Sequence, residues 1–173
     1  MNSTTNNTQA PQNIVIRQCT RDDLESVMAI NEKTLPENYP QFFYESILER
    51  FPISFLVAED RNMGNNLVGY VMFRIERMMD WGVKFLKKGH LVSIAVLKEY
   101  QKQGIGSTLL REGMRRVLEY NIDKYVLEVR ITNTNAIEMY KKFKFYTEKT
   151  IPEYYRDGED AYYMILNKDD FEN

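Results

Sequence analysis

Leu91-Val92-Ser93-Ile94-Ala95-Val96, followed after a short polar break by Gln101-Lys102-Gln103-Gly104-Ile105-Gly106, is the stretch on which the fold turns. The six residues from Leu91 form an apolar run too short for a globular helix, which predicts a buried strand. From Ile105 two adjacent ladders of four-residue spacing, Ile105, Leu109, Gly113, Val117 and Leu110, Met114, Leu118, predict an amphipathic helix. Lys124 to Arg130 then sets Tyr125, Leu127 and Val129 against Val126, Glu128 and Arg130, the alternation of a second strand. The unit reads strand, glycine loop, helix, strand.

A helix start leaves several backbone N–H groups unpaired and carries partial positive charge, a ready site for phosphate oxygens. Gly104 and Gly106 remove side chains that would keep a pyrophosphate from those amides, and Lys98 and Lys102 add charge at the rim. The same residues also fit a tight strand-to-helix turn without a ligand. Two other phosphate motifs fit badly: Leu109 stands where a dinucleotide fingerprint has its third glycine, and a Gly-Lys-Ser/Thr P-loop is absent.

Upstream, Met1 to Gln12 is dominated by Asn, Thr, Ser and Gln, which predicts a polar tail ahead of one domain spanning residues 13–173. Ile14-Val15-Ile16 predicts a first strand, and Thr20 with Asp23 approximates a capping box for a helix carrying Leu24, Val27, Met28 and Ile30. Leu35-Pro36-Glu37-Asn38-Tyr39-Pro40 is a stiff loop, either helix punctuation or a preset wall of a binding groove. A short helix over Phe42–Arg50 ends before Pro52. Ser54–Glu59 and Leu67–Ile75 are strands joined by a turn around Gly64. Met78–Lys88 fits a short amphipathic helix, a membrane-touching patch or a flap, and is read as a long connection packed by its own aromatics. Downstream, Asn133–Lys142 predicts a helix, and Phe145–Tyr155 and Ala161–Leu166 two strands joined through Arg156-Asp157-Gly158. Hairpins flanking one crossover give an α/β (α+β) fold whose central sheet is mixed and largely antiparallel, flanked by helices.

The 173 residues carry 43% hydrophobic and 28% charged side chains, as in a soluble globular protein. A net charge of −2 offers no broad basic field, so direct nucleic-acid binding is not expected. No apolar run approaches the ~20 residues of a membrane span, and the N-terminus lacks the basic and apolar regions of a secretory signal. One cysteine, Cys19, cannot form an internal disulfide. The expected location is the cytoplasm.

The glycine segment resembles the acetyl-CoA-binding core of the GNAT acetyltransferases, whose signature Gln/Arg-x-x-Gly-x-Gly/Ala stands here as Gln101 to Gly106. Gln101 replaces the commoner arginine. The resemblance implies acetyl-CoA as co-substrate, no metal, and contacts from Ile94, Ala95 and Val96 and from Gln101 through Ser107. Asn133-x-x-Ala136-x-x-x-Tyr140 is similar to the pattern in which the asparagine binds CoA and the tyrosine is the general acid. By spacing alone Tyr140 is as well a core aromatic. Phe143-Lys144-Phe145 departs from the family's Leu-Gly-Phe, so the exit from that helix is expected to differ.

Acyl transfer to an amine needs a neutral nucleophile, donors for the oxyanion and a proton for the thiolate. Glu37, His90 and Glu128 are the candidate bases. His90 also fits a structural histidine at a strand start, and Glu128 either a partner of Arg130 or of lysines or an acid facing a wet cleft. The oxyanion donor falls to a backbone N–H around Ile94 to Val96.

Leu35–Tyr39, Gly89–Val96 and Pro152–Tyr162 narrow the resemblance to the catalytic subunit of the N-terminal acetyltransferase A type and its archaeal relatives. That likeness implies a groove for a protein N-terminus, lined by Leu35, Pro36, Glu37 and Tyr39 on one side and by Tyr154 and Tyr155 on the other. It implies direct transfer through a tetrahedral intermediate to small first residues such as Ser, Ala or Thr, with Met followed by an acidic residue also open. Nascent or finished protein N-termini are the expected partners, and an auxiliary subunit or the ribosome stays undecided. A lysine or polyamine acetyltransferase and a noncatalytic acyl-CoA-binding module are the alternatives.

Overall fold

A computed structural model describes residues 9–64, 66–80, 82 and 84–172. The strands are β1 (Ile14–Gln18), β2 (Phe55–Asp60), β3 (Asn66–Asp80), β4 (Lys84–Val96), β5 (Lys124–Arg130), β6 (Tyr146–Ile151) and β7 (Ala161–Asn167). The helices are α1 (Leu24–Thr34), α2 (Gln41–Arg50), α3 (Ile105–Val117), α4 (Thr134–Lys142) and α5 (Lys168–Glu172). The strands form one sheet in the order β1-β2-β3-β4-β5-β7-β6. Among the described pairings β1–β2, β2–β3, β5–β7 and β6–β7 are antiparallel and β4–β5 is parallel. The α/β, largely antiparallel reading therefore holds.

The chain divides into two compact units, one ending at Arg74 and resuming over Ser93–Arg116, the other comprising Ile75–Val92 and the chain from Val117. The first unit is built on α3. Ile105, Leu109, Leu110 and Met114 are all buried, as the four-residue ladders require. Gly113 lets the helix sit on β3, since a Cβ there would lie 2.7 Å from Phe73 Cε2. Thr20 and Asp23 form the expected capping box, with Asp23 also held by Arg17 at 2.7 Å. In the second unit β5 runs between β4 and β7, and Tyr125, Leu127 and Val129 point into a core with Ile137, Tyr140 and Phe145.

Three expectations need correction. Met78–Lys88 is not a long connection: β3 continues to Asp80 and β4 begins at Lys84, with Gly82 at φ +78° between them. Met79 and Phe85 on these strand ends are 56% and 69% exposed, so no buried face existed to impose an apolar alternation. His90 consequently lies well inside β4 and not at a strand start. The predicted strand Phe145–Tyr155 stops at Ile151, because Pro152 has no N–H for the ladder and Glu153 takes φ +50°. At the exit of α4, Lys144 adopts φ +68°, so the left-handed turn forms without a glycine, at a cost of about 1–2 kcal/mol. Of the polar tail, residues 1–8 lie outside the described residues, while the Ala10 N–H donates to Thr108 Oγ1 at 3.0 Å.

Candidate active site

In the first unit, the chain leaves β4 at Val96, makes one 3-10 turn over Lys98–Tyr100 and enters α3. Lys102 and Gly104 take φ of +59° and +82°, two left-handed residues that fold the segment back on itself and turn its amides inward. The first i to i−4 bond of α3 runs from Thr108 N to Gly104 O, so the amides of Ile105, Gly106 and Ser107 precede the helical ladder. This is the arrangement an anion requires: three N–H groups at the positive end of a 13-residue helix, with no Cβ at two of the six positions Gln101–Gly106. The residues present thus fit a diphosphate.

The loop is braced from behind. Gln101 Nε2 donates to Val96 O at 2.9 Å, tying the loop to the strand that precedes it, and Gln103 Nε2 reaches Glu99 O at 3.1 Å. Gln101 is therefore a tie within the turn, a role that needs no charge. Tyr100 OH donates to Asp60 Oδ2 at 3.0 Å, and Asp60 also accepts from Asn13 Nδ2 at 2.7 Å and from Asn62 N at 2.9 Å. Asp60 and Tyr100 were invisible to sequence reasoning, since 40 residues separate them.

Glu37 lies half-buried on the loop between α1 and α2, flanked by Leu35, the exposed Pro36 and Tyr39. Tyr39 stacks on Phe43 with centroids 4.6 Å apart and meets Tyr44 edge-on, which stiffens the loop against α2. Beneath it Tyr70 OH accepts from Asn31 Nδ2 at 2.8 Å and pairs with Ser93 Oγ at 2.7 Å. Burial pushes the Tyr70 phenol up to about 12. Ser93 shares β4 with Ile94, Ala95 and Val96, so the glutamate loop and the strand expected to meet the acyl donor belong to one packed network within this unit.

In the second unit the structure joins two rival candidate bases. His90 Nε2 lies 2.6 Å from Glu128 Oε2, and its Nδ1 lies 2.7 Å from Glu76 Oε1. The side chains of His90 and Glu128 are 10% and 14% exposed, that of Glu76 34%. Burial alone would lower the imidazole pKa, but its hydrogen bonds to the Glu128 and then the Glu76 carboxylate, with their charge, outweigh it and hold His90 above its ordinary value. Glu128 therefore pairs with His90 among the described contacts, and no contact with Arg130 or a lysine, one of the alternatives its sequence allowed, is among them. Glu76 was missed altogether: it sits just past the predicted strand Leu67–Ile75, where the exposed Arg77, Met78 and Met79 carry no apolar period.

Parallel pairing of β4 with β5 covers Lys88–His90 against Lys124–Val126 and goes no further among the described residues.

Tyr140 is 5% exposed on α4, edge-on to Phe145 at 6.0 Å, and burial raises its phenol above the ordinary value. It therefore keeps its proton throughout the neutral range. Asn133 caps α4, its Oδ1 accepting from Ala136 N at 3.2 Å, and is exposed. Tyr154 and Tyr155 meet edge-on at 5.0 Å in the loop between β6 and β7. That loop is clamped by Arg130, whose guanidinium lies over Tyr155 at 4.1 Å while Nη1 reaches Asp157 at 2.8 Å and Glu159 at 2.5 Å.

Among the described residues no helix is long and apolar enough to cross a membrane. The acetyltransferase (GNAT) family profile matches residues 24–145. An N-alpha-acetyltransferase of Saccharolobus solfataricus is 42% identical over 161 residues, covering 88% of this chain and 92% of that one. An N-terminal acetyltransferase complex ARD1 subunit homolog of Dictyostelium discoideum is 37% identical, covering 88% of this chain and 72% of that protein. The crystal structure of Ard1 from Thermoplasma volcanium superposes with a TM-score of 0.76 at 28% identity, covering 90% of this chain and 97% of that one. A helix-terminal amide cradle after a strand, a buried histidine–carboxylate pair and these relatives agree: the chain belongs to the acetyltransferase (GNAT) family, among its N-alpha-acetyltransferase members.

Proposed function

We propose that the chain transfers the acetyl group of acetyl-CoA to the free α-amine of protein N-termini in the cytoplasm. The observation that carries this reading is the buried His90–Glu128 contact of 2.6 Å. A protein α-amine has a pKa of about 7.7–8.0, against about 10.4 for a lysine. The hydrogen-bonded imidazole, raised above its ordinary ~6.5, moves toward the first of these.

Acetyl-CoA supplies an activated thioester. The amides of Ile105, Gly106 and Ser107, with Gly104 giving access, hold its diphosphate, while Gln101, Lys102 and Gln103 frame the turn. Backbone groups of Ile94, Ala95 and Val96 orient the acyl end, and Asn133 contacts the CoA moiety. His90 and Glu128 take the amine proton, and Tyr140, neutral by burial, donates to the departing sulfur. Glu37 and Tyr39 with Leu35 and Pro36, and separately Tyr154 and Tyr155, contact the first substrate residues. A carboxylate at Glu37 suits small uncharged first residues such as Ser, Ala or Thr better than a bulky apolar one.

Purified protein incubated with acetyl-CoA and a peptide library, read by mass spectrometry, tests the reading. Ala- and Ser-starting peptides should be acetylated at the N-terminus, and an N-blocked peptide containing lysine should not. Acetylation of the blocked peptide alone would replace this reading with a lysine acetyltransferase, and CoA binding without turnover would leave a binding module. An activity that appears only beside an added auxiliary subunit would place the chain as the catalytic part of a complex.

A further inference from the structure

The His90 ring has a carboxylate on each side, Glu76 at 2.7 Å from Nδ1 and Glu128 at 2.6 Å from Nε2. A neutral imidazole carries a single N–H, so it can donate to only one of them. Which carboxylate wins decides whether the histidine can act as a base. With its proton on Nε2, neutral His90 would donate to Glu128 and have no vacancy on that side. With its proton on Nδ1, held by Glu76, Nε2 keeps a lone pair that can accept across the 2.6 Å contact once Glu128 carries the substrate's proton.

We propose that Glu76 is a positioning residue for the base, fixing the Nδ1–H tautomer of His90 so that Glu128 can relay a proton from the substrate amine to Nε2. This rests on the acyl-transfer reading above. In the step, an N–H bond of the substrate ammonium breaks and an O–H bond forms on Glu128. That proton then passes across the 2.6 Å contact to Nε2, restoring the Glu128 carboxylate and leaving imidazolium. Glu76 gains and loses nothing; the imidazolium returns its proton to water before the next turnover.

Glu76, at 34% exposure, is the more hydrated of the two acids, and Glu128, at 14%, the more enclosed. The other charged and titratable groups about the ring are Lys88, two residues back on β4, whose Nζ donates to Tyr163 OH at 3.0 Å, and Tyr163 itself, opposite Glu128 in the β5–β7 register. Lys149 lies over the Tyr163 ring at 5.3 Å. The two-residue period of β3 puts Arg74 on the face of Glu76, and that of β5 puts Lys124 and Arg130 on the face of Glu128.

The test is Glu76→Gln, which keeps the shape and an acceptor oxygen but removes the charge that selects the tautomer. The expected result is a fall in kcat of about 10- to 10³-fold, an unchanged KM for acetyl-CoA, and an acid limb of kcat/KM displaced to lower pH, because the imidazole loses one of its two anions. Glu76→Asp should recover part of kcat. A Glu76 that acted by its charge alone would shift the acid limb and leave kcat unchanged at pH values above it. Independently of turnover, ¹⁵N NMR of the wild-type imidazole above its titration should show the proton on Nδ1. Wild-type kcat and acid limb in Glu76→Gln, or an Nε2–H tautomer in the wild type, would overturn the proposal. Absence of wild-type activity on any peptide N-terminus would instead sink the acyl-transfer reading, and the NMR result would still decide the tautomer.

Discussion

Gly69 offers a quantitative test of how the acyl-donor strand is seated. It lies within β3, and a Cβ built there would stand 2.8 Å from Ala95 O, 3.1 Å from Val96 Cγ2 and 3.2 Å from Leu109 Cδ1. The first of these is backbone, so no rotamer change relieves it: β3 and β4 must part, or Leu109 and the start of α3 must shift with them. Gly69→Ala gains about 0.5–1 kcal/mol by restricting the unfolded chain. Overpacking a close-packed interior costs about 1–3 kcal/mol. At mid-range the cost wins, for a net loss of about 1 kcal/mol, at most ~2.5 kcal/mol, and a Tm lowered by about 2–4 °C in a chain of this size. Ala95 and Val96 are also the residues assigned to the acyl end, so calorimetric affinity for acetyl-CoA should fall along with stability. Urea or thermal unfolding of the variant, with and without acetyl-CoA, checks both. A variant as stable as the wild type, binding acetyl-CoA equally well, would refute the argument that close approach is why a glycine stands there.

Tyr140→Phe should reduce kcat by about 10²-fold with little change in either KM, and because burial raises the phenol above its ordinary value the wild type should show no basic limb from this residue below about pH 10. Asp23, beside the Arg17 guanidinium, is held down to about 2. Its folded pKa lies below its unfolded one, so its contribution is complete above about pH 4 and vanishes as pH falls through about 2. Arg17 is 34% exposed and solvent screens the pair, leaving about 1 kcal/mol. Asp23→Asn should lose that much in urea melts at pH 7 and nothing near pH 2. Arg130→Ala removes the group that lies over Tyr155 and holds Asp157 and Glu159. It should raise the peptide KM several-fold while leaving acetyl-CoA affinity intact, measured by initial rates on an Ala-starting peptide.

Much of the fold was legible because its signals are local. The ladders of α3, the alternation of β5, the Thr20–Asp23 box and the Gly104–Gly106 turn each depend on residues within a few positions of one another, and each formed as read. The failures have two causes. Strand ends past Glu76 are exposed, so backbone pairing extended β3 and β4 through residues whose side chains carry no period. The Pro152–Asp160 loop depends on Arg130 and Thr132 holding Glu159, contacts that span 27 to 29 residues.

Sequence by itself determined the order of elements as far as β7, the glycine turn at the start of α3 and the set of acids, histidine and tyrosine available for proton transfer, because these follow from short-range spacing and from chemistry intrinsic to each side chain. Only the tertiary structure decided that His90 and Glu128, 38 residues apart, share a 2.6 Å contact, and that Glu76 stands on the other side of the ring. A pKa, a tautomer and a proton's direction of travel are properties of neighbours in space, and sheet register, which no local pattern encodes, chooses those neighbours.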